Sequence, residues 1–364
     1  MLRGFFIFGN MNFSSELLKW YKKHKRDLPW RKTTDPYLIW LSEIILQQTR
    51  VSQGLPYFLR FKKKYPTIRK FASAKQRDIL KLWQGLGYYS RARNMHETAK
   101  NIVKYSGGKF PREYSELLRL KGIGEYTAAA ITSISFNLPY PVVDGNVVRV
   151  LSRYFGIKNN GSTSALRKKY VALARKLMGK HSPSDFNQAM MEFGALQCIP
   201  KNPDCSICPL NKSCFAYKNS KVEWLPPRKQ KVKIIKRYFD YLLLRNGLNI
   251  FLRQRNGNDI WKKLFDFPLI ESSKTVSKTE LRKIIATNNY ISNEDFEIVP
   301  IGNVYEHQLS HQLLQVRFWR VKTNRNFINP MSSELLSVDA KTVENYPMPR
   351  LIEKFLADHN LFDN

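Results

Sequence analysis

The sequence predicts a multidomain chain of two structural classes, an all-α domain followed by an α+β domain. Three observations carry that reading. From Ser14 to about Ala216, apolar residues recur at helical spacing between Pro and Gly joints. After Cys214 the composition changes to a charged, proline-bearing connector, and beyond it the apolar pattern takes the period of a strand. The length, 364 residues, suggests two or three domains, each large enough to bury a core without disulfide staples. The expected limits are a helical domain over 12–224, a basic linker over 225–236 and an α+β domain over 237–364.

In chain order, SSELLKWYKKHKRDLPW (Ser14 to Trp30) starts with serine caps and carries Leu17, Leu18 and Tyr21 on one face, so it reads as an amphipathic helix broken at Pro29. Asp35 and Pro36 form an N-cap and first-turn pair for a helix running to about Arg50. Helical patterns follow at Tyr57–Lys64, Ala74–Gln84, Arg91–Tyr105 and Ser115–Leu120. The connector holds Pro226, Pro227 and six basic residues from Arg228 to Arg237. Then YFDYLLLR, the Asn246-Gly247 turn and LNIFLRQR signal a hairpin, followed by a helix near Lys278–Thr287 and a long strand near Leu313–Val321.

Lys plus Arg number 61 against 29 Asp plus Glu, a formal charge of +32. Neutralising phosphates releases counterions, so the excess points to a polyanion such as nucleic acid. No apolar run approaches the ~18 residues of a membrane span, and no membrane partner is expected. The opening MLRGFFIFGNMNFSS lacks the longer apolar region and cleavage site of a secretory signal, and reads as a non-targeting extension with Met11 as an alternative start. All four cysteines fall between Cys198 and Cys214, a clustering that argues for a metal site in a reducing compartment.

Within Leu120–Arg149, Gly122 and Gly124 permit close backbone approach, and the helix after Glu125 presents unpaired N–H groups at its positive end. This stretch, 115–136, reads as a helix-hairpin-helix that grips a DNA phosphate; read alone, the two glycines are an ordinary turn. Asp144 stands just before a helix starting near Asn146. It reads both as an N-cap and as a carboxylate that the helix N-terminus keeps ionised. Glu43, in WLSEIILQQT, shares a largely apolar helix face with Ile39, Trp40 and Gln47. Such an acid is either paired or partly desolvated, and desolvation would let it hold a proton near neutral pH. One protonated and one ionised carboxylate is the division of labour that breaks glycosidic bonds.

The spacing Cys198-x6-Cys205-x2-Cys208-x5-Cys214 makes a metal site over 198–214 and leaves zinc and an iron–sulfur cluster both open. Lys201 and Lys212, between the ligands, either meet phosphate or are solvated surface lysines.

With these pieces assembled, the chain resembles the MutY-type adenine DNA glycosylases, in the helix-hairpin-helix superfamily that includes endonuclease III. The matching stretches are LPWR at 28–31, WLSEIILQQT at 40–49, GLGYYSRARN at 85–94, the hairpin, VVDGNVVR at 142–149 and the four cysteines. The resemblance implies a structural [4Fe–4S] cluster on Cys198, Cys205, Cys208 and Cys214. It implies a monofunctional glycosylase of base excision repair that removes adenine opposite 8-oxoguanine or guanine in double-stranded DNA. It also implies a bacterial, cytoplasmic, nucleoid-associated monomer.

Lyases of the superfamily carry a Schiff-base lysine where this chain has Tyr126, so hydrolysis without strand cleavage is implied. Glu43 would protonate the flipped adenine, Asp144 would stabilise the oxocarbenium-like sugar, and Tyr126 and Asn146 would orient them. Arg31 and Gln188 match positions lining the adenine pocket, and Gln48 and Tyr88 match residues that wedge in beside the 8-oxoguanine. Core packing is the plain alternative for Tyr88 and Trp30. The second domain resembles a Nudix-like 8-oxoguanine recognition domain, without the acidic REx2EE run of a working hydrolase. The family's Phe-Ser-His turn stands here as Leu309-Ser310-His311, which puts its stacking contribution in doubt. The rival readings are an endonuclease III-like bifunctional glycosylase/lyase and a non-catalytic iron–sulfur DNA-binding protein.

Overall fold

The structure is a computed structural model and describes residues 8–158, 163–227, 234–287, 296–323 and 334–359, with side chains from residue 13. The connector residues 228–233 and the first seven residues of the expected extension lie outside the described residues. Two compact units result: one from the chain up to Ser73 with Asn94–Gln230, the other from Ala74–Arg93 with Lys231 onward. Residues 74–93, assigned by sequence to the first domain, therefore pack with the second.

The helices of the first part of the chain are α1 (Phe8–His24), α2 (Pro36–Leu46), α3 (Val51–Lys64), α4 (Ile68–Ala72), α5 (Gln76–Trp83), α6 (Ser90–Ser106), α7 (Tyr114–Leu118), α8 (Glu125–Phe136), α9 (Gly145–Phe155), α10 (Ser164–Met178), α11 (Pro183–Leu196) and α12 (Phe215–Lys218). Helix α1 starts before the expected serine caps, and Ser14 lies inside it, donating to Leu177 O at 2.6 Å. Asp35 caps α2 by accepting from Tyr37 N at 2.8 Å. Helix α2 ends at Leu46 rather than near Arg50, because Gln48 takes a left-handed backbone (φ 55°). Residues Tyr37 to Ile45 of α2 are all buried, which makes it a central core helix with Glu43 inside. Helix α8 packs on α2, where Thr127 and Ala128–Ala130 are small enough to let the backbones close up.

The second unit carries β1 (Ile235–Leu243), β2 (Arg245–Asn246), β3 (Asn249–Gln254), β4 (Phe265–Asp266), β5 (Leu269–Ser272), α13 (Lys278–Thr287), β6 (Phe296–Gln308), β7 (Gln312–Thr323), β8 (Leu335–Asp339) and α14 (Arg350–Asp358), together with α5. One sheet runs β5-β1-β7-β6, with β1 and β7 parallel; the other runs β2-β3-β4, with β8 also on β3. Phe239, Tyr241, Leu314, Val316 and Phe318 face a core with α14, where Phe318 stacks on Phe355 at 3.8 Å. Leu242, Trp319 and Val321 face the other way, toward α13. The expected hairpin is only partly present. The Asn246-Gly247 turn joins β2 to β3, but β1 pairs with β5 and β7 in the other sheet. A strand apolar on both faces is satisfied only as a central strand, so the chain changes sheets at Leu244.

Candidate active site

Glu43 of α2 meets Tyr126 of α8 where the two helices pack together. The Tyr126 hydroxyl donates to Glu43 Oε2 at 2.6 Å and lies 3.4 Å from Met191 Sδ on α11. Burial pushes the Glu43 carboxyl up to about 7; the Tyr126 hydrogen bond pulls it down, and the Asp144 charge adds to the rise. Tyr126 itself is held well above its ordinary value by burial and by the two carboxylates. It is thus a neutral donor at any physiological pH, and Glu43 is desolvated rather than ion-paired.

Asp144 is the N-cap of α9. Its Oδ1 accepts from Val147 N at 2.8 Å and its Oδ2 from Asn146 Nδ2 at 2.7 Å. The N-cap expectation holds, but the helix end does not on balance lower this carboxyl. Burial raises the Asp144 carboxyl above its ordinary value, against the pull of Val147, Asn146 and Arg149. Desolvation on packing outweighs the helix end. Asn146 is oriented in turn by Arg149, whose Nη2 donates to Asn146 Oδ1 at 2.8 Å and to Gly194 O at 2.6 Å, while Nε donates to Cys198 O at 2.8 Å. Gly194 is required there, since a Cβ would lie 2.6 Å from Asn146 Cβ.

The structure places Arg31 and Gln188 around Tyr21: the Arg31 guanidinium lies 5.6 Å from that ring, and Tyr21 OH is 3.4 Å from Gln188 Oε1. Arg31 is also clamped to Glu192, with both N–O distances 2.8 Å, and Arg26 grips the same carboxylate at 2.6 Å. Despite burial, these two guanidiniums hold Glu192 down at about 2. Sequence reasoning missed Glu192, Arg26, Arg149 and Met191. Glu192 gave the same signal as Glu43, an acid in an apolar helix, and only the fold separates the paired acid from the unpaired one.

In the hairpin, Gly122 has φ +80° and its missing Cβ would meet Asn94 Cβ at 2.9 Å. Thr98 Oγ1 donates to Lys121 O at 2.7 Å, tying the turn to α6. Gly124 is the N-cap of α8. The pair therefore positions Tyr126 as well as exposing N–H groups. A groove of ≈ 530 Å³ opens beside Asp144, lined among others by Arg149, Arg153, Arg167 and Lys201, a cationic path to the carboxylate.

Cys198, Cys205, Cys208 and Cys214 are all partly buried and line one small cavity with Arg153 and Tyr154. Arg153 fastens the loop to α9 through Ile199 O at 2.7 Å and Pro200 O at 2.9 Å. Burial pushes the Cys208 thiol up to about 12, so a cation is needed to make it a thiolate. Among the described residues, no three His, Cys, Asp or Glu side chains converge as a single ion requires.

In the second unit, Leu309, Ser310 and His311 form the β6–β7 turn, closed by Leu309 N donating to Gln312 O at 2.8 Å. The hydroxyls of Ser310 and Tyr88 are hydrogen-bonded to each other. Tyr88 is 47% exposed, which sets aside the core-packing alternative for it, whereas Trp30 is buried against Phe58. Tyr88, Leu309, Ser310 and His311 line one cavity of ≈ 560 Å³. Helix α13 has Glu280 in its first turn but no acidic run.

Residues 41–176 match the HhH-GPD superfamily of base excision DNA repair proteins, and residues 240–358 match the NUDIX domain family. Adenine DNA glycosylase of Buchnera aphidicola subsp. Schizaphis graminum is 35% identical over 94% of this chain and 97% of its own length. The human adenine DNA glycosylase is 42% identical over 58% of this chain and 41% of its own. Among solved structures, a thermostable thymine-DNA glycosylase aligns with TM-score 0.54 and 32% identity, over 58% of this chain and 97% of that one. A trapped endonuclease III–DNA covalent intermediate shares the fold, with TM-score 0.50 and 24% identity over 57% of this chain and 94% of that one. No helix among the described residues is long and apolar enough to cross a membrane. With the buried Glu43–Tyr126 pair and the capped Asp144 on one helical scaffold, and a relative matched over nearly the whole length of both chains, this chain belongs to the adenine DNA glycosylase family, and it is a DNA glycosylase whose partner is DNA.

Proposed function

We propose that the protein is a monofunctional glycosylase that hydrolyses the N-glycosidic bond of adenine opposite 8-oxoguanine or guanine. The observation that carries the reading is the contrast between its two carboxyls. Glu43 is raised to about 7 with a neutral phenol as partner, while at Asp144 three hydrogen bonds and Arg149 oppose the rise that burial causes. Adenine flipped from the duplex takes the Glu43 proton, so that it leaves as a neutral base when the C1′–N9 bond breaks. The positive charge left on the sugar faces the Asp144 carboxylate. Water then adds to C1′, gives up a proton and leaves an abasic site. Tyr126 has no amine for an imine and orients Glu43 instead; Asn146 orients Asp144. Arg31 and Gln188 are assigned to the base pocket, Gln48 and Tyr88 to the wedge, and Leu309, Ser310 and His311 to the opposite base.

Cys198, Cys205, Cys208 and Cys214 would hold a [4Fe–4S] cluster, one thiolate per iron. Four partly buried thiols lining a common cavity suit that assignment. When bound, the cluster cross-links the 198–214 loop that Arg149 and Arg153 tie to α9. The expected setting is the bacterial cytoplasm, with the protein acting as a monomer.

The test is base release from duplexes carrying adenine opposite 8-oxoguanine, adenine opposite guanine, thymine opposite guanine and thymine glycol. Release from the first two, with an intact strand and no borohydride-trapped adduct, is expected; release confined to the last two would overturn the reading. A second measurement follows from the Tyr126–Glu43 bond. Since that bond pulls the carboxyl down, Tyr126→Phe should move the alkaline limb of the single-turnover pH profile upward and slow release about tenfold at neutral pH. An unmoved limb would show that the phenol does not bear on Glu43.

A further inference from the structure

The turn that carries Tyr88, residues 85–88 between α5 and α6, belongs to the second unit, although the chain before Ala74 and directly after Arg93 belongs to the first. Both flanks of the turn close on one buried residue. Before it, Gln84 Oε1 accepts from Met348 N at 3.4 Å; after it, the Tyr89 hydroxyl donates to Met348 O at 3.4 Å. Met348 is 1% exposed, so its backbone N–H and C=O cannot turn to water, and these two side chains serve them. Gln84 Nε2 in turn donates to the Glu353 carboxylate on α14. We propose that Gln84 is a positioning residue for Tyr88: tied to Met348 and Glu353, it fixes the 85–88 turn on the second unit and so presents the Tyr88 ring to the duplex. The inference rests on the assignment of Tyr88 to the wedge.

Such a hold is needed because the turn is conformationally costly. Gly85 and Gly87 have φ 94° and 70°, and Tyr88 itself has φ 47°, a left-handed backbone that tyrosine rarely adopts. Strain of this kind persists only where the surroundings over-determine it. Local partners shape the inner side of the turn. Trp83 Nε1 donates to Gly87 O at 3.0 Å, and Arg91 Nη2 donates to Leu86 O and Gly87 O, each at 3.3 Å. The Arg91 guanidinium also lies 5.1 Å from the Trp83 ring and 5.7 Å from the Tyr88 ring. All of these bonds fall within residues 83–91, so they set the form of the turn and leave its direction open. Direction comes from contacts that leave the segment. These are Gln84 at the entry, the Tyr88–Ser310 hydroxyl pair at the tip, and Tyr89 and Arg93 at the exit, where Arg93 Nη1 donates to Lys262 O at 2.8 Å. Gln84 is the C-cap of α5, so its side chain holds the helix end from which the chain enters the turn. It does so on a carboxylate, and a hydrogen bond to an ionised acceptor is stronger than one between neutral groups.

The test is a double-mutant cycle with Tyr88→Ala in the full-length holoprotein. The probe is a duplex with a tetrahydrofuran abasic analogue opposite 8-oxoguanine and 2-aminopurine beside the 8-oxoguanine, which brightens when a wedge unstacks it. Gln84→Glu sets a second carboxylate against Glu353, and is expected to weaken binding about fivefold and to lower the 2-aminopurine signal. In the Tyr88→Ala background the same change should cost nothing further in either readout. Adding Glu353→Gln to Gln84→Glu exchanges amide and carboxylate and should restore both, since the new carboxylate can accept from Met348 N and from the new amide. A merely structural role would weaken binding by the same factor with or without the Tyr88 ring, which would overturn the inference, as would unchanged binding by Gln84→Glu. Should Gln84→Glu fail to fold, Glu353→Ala takes its place in the same cycle, removing the acceptor without adding a charge. Tyr88→Ala binding like the wild type with full signal would defeat the wedge assignment, and the inference with it. Weaker binding by Tyr88→Ala with an independent effect of Gln84→Glu would defeat the inference alone, so the two failures are distinguishable.

Discussion

Asp144→Asn should bind an adenine-mismatched duplex about as tightly as the wild type and release the base about 10²- to 10³-fold more slowly. The side chain keeps its shape, and its oxygen can still accept from Val147 N, so the cap on α9 survives. What disappears is the charge proposed to face the sugar cation. The new amide would also point a donor at Asn146 Nδ2, now 2.7 Å from Asp144 Oδ2. Asn146 must then turn, against the hold of Arg149 on its Oδ1 at 2.8 Å. A loss of about 1 kcal/mol in stability is expected from that mismatch. Single-turnover base release, set beside gel-shift affinity and thermal unfolding, checks all three parts. Turnover near the wild-type rate would show the charge to be dispensable.

Glu43→Gln is expected to slow base release about 10²- to 10⁴-fold, because it removes the proposed general acid. It should also stabilise the fold at alkaline pH. The carboxyl is raised from its ordinary 4.5 to about 7, chiefly by burial. Folding therefore takes up a proton between those values. The stability tied to the protonated form is fully present below about 4.5 and is lost as pH rises through about 7. At ~1.4 kcal/mol per pKa unit, ionisation of Glu43 costs the wild type roughly 3 kcal/mol at most. The wild-type rate should fall as pH rises through about 7 and the acid loses its proton. The Gln side chain never ionises, so unfolding midpoints of variant and wild type should draw apart in favour of the variant between about pH 4.5 and 7 and stay apart above it. Parallel stability curves would show that Glu43 does not titrate there.

Local sequence carried a large part of this fold. Asp35 before Pro36 and Asp144 before Gly145 cap the helices they were expected to cap, and Lys278–Thr287 forms the helix its pattern implies. The misses share a cause. Helix α2 stops short because Gln48 turns left-handed ahead of α3. The β1–β3 hairpin dissolves into two sheets because β1 finds better burial between β5 and β7 than against β3. In both places a local preference yielded to packing against residues distant in sequence.

The sequence by itself determined which groups this protein has to work with. It holds two acids in apolar surroundings, a phenol where an amine would change the chemistry, and four thiols in one loop. Those are covalent facts, readable from spacing and residue type. Only the tertiary structure decided what each group can do. Glu43 and Glu192 both lie in apolar helices, yet one is raised to about 7 and the other lowered to about 2. Burial raises both; the phenol of Tyr126 offsets it only in part at Glu43, whereas the guanidiniums of Arg26 and Arg31 overcome it at Glu192. Ionisation in a buried site depends on solvent removed and partners supplied from other elements, and only the folded chain brings those together.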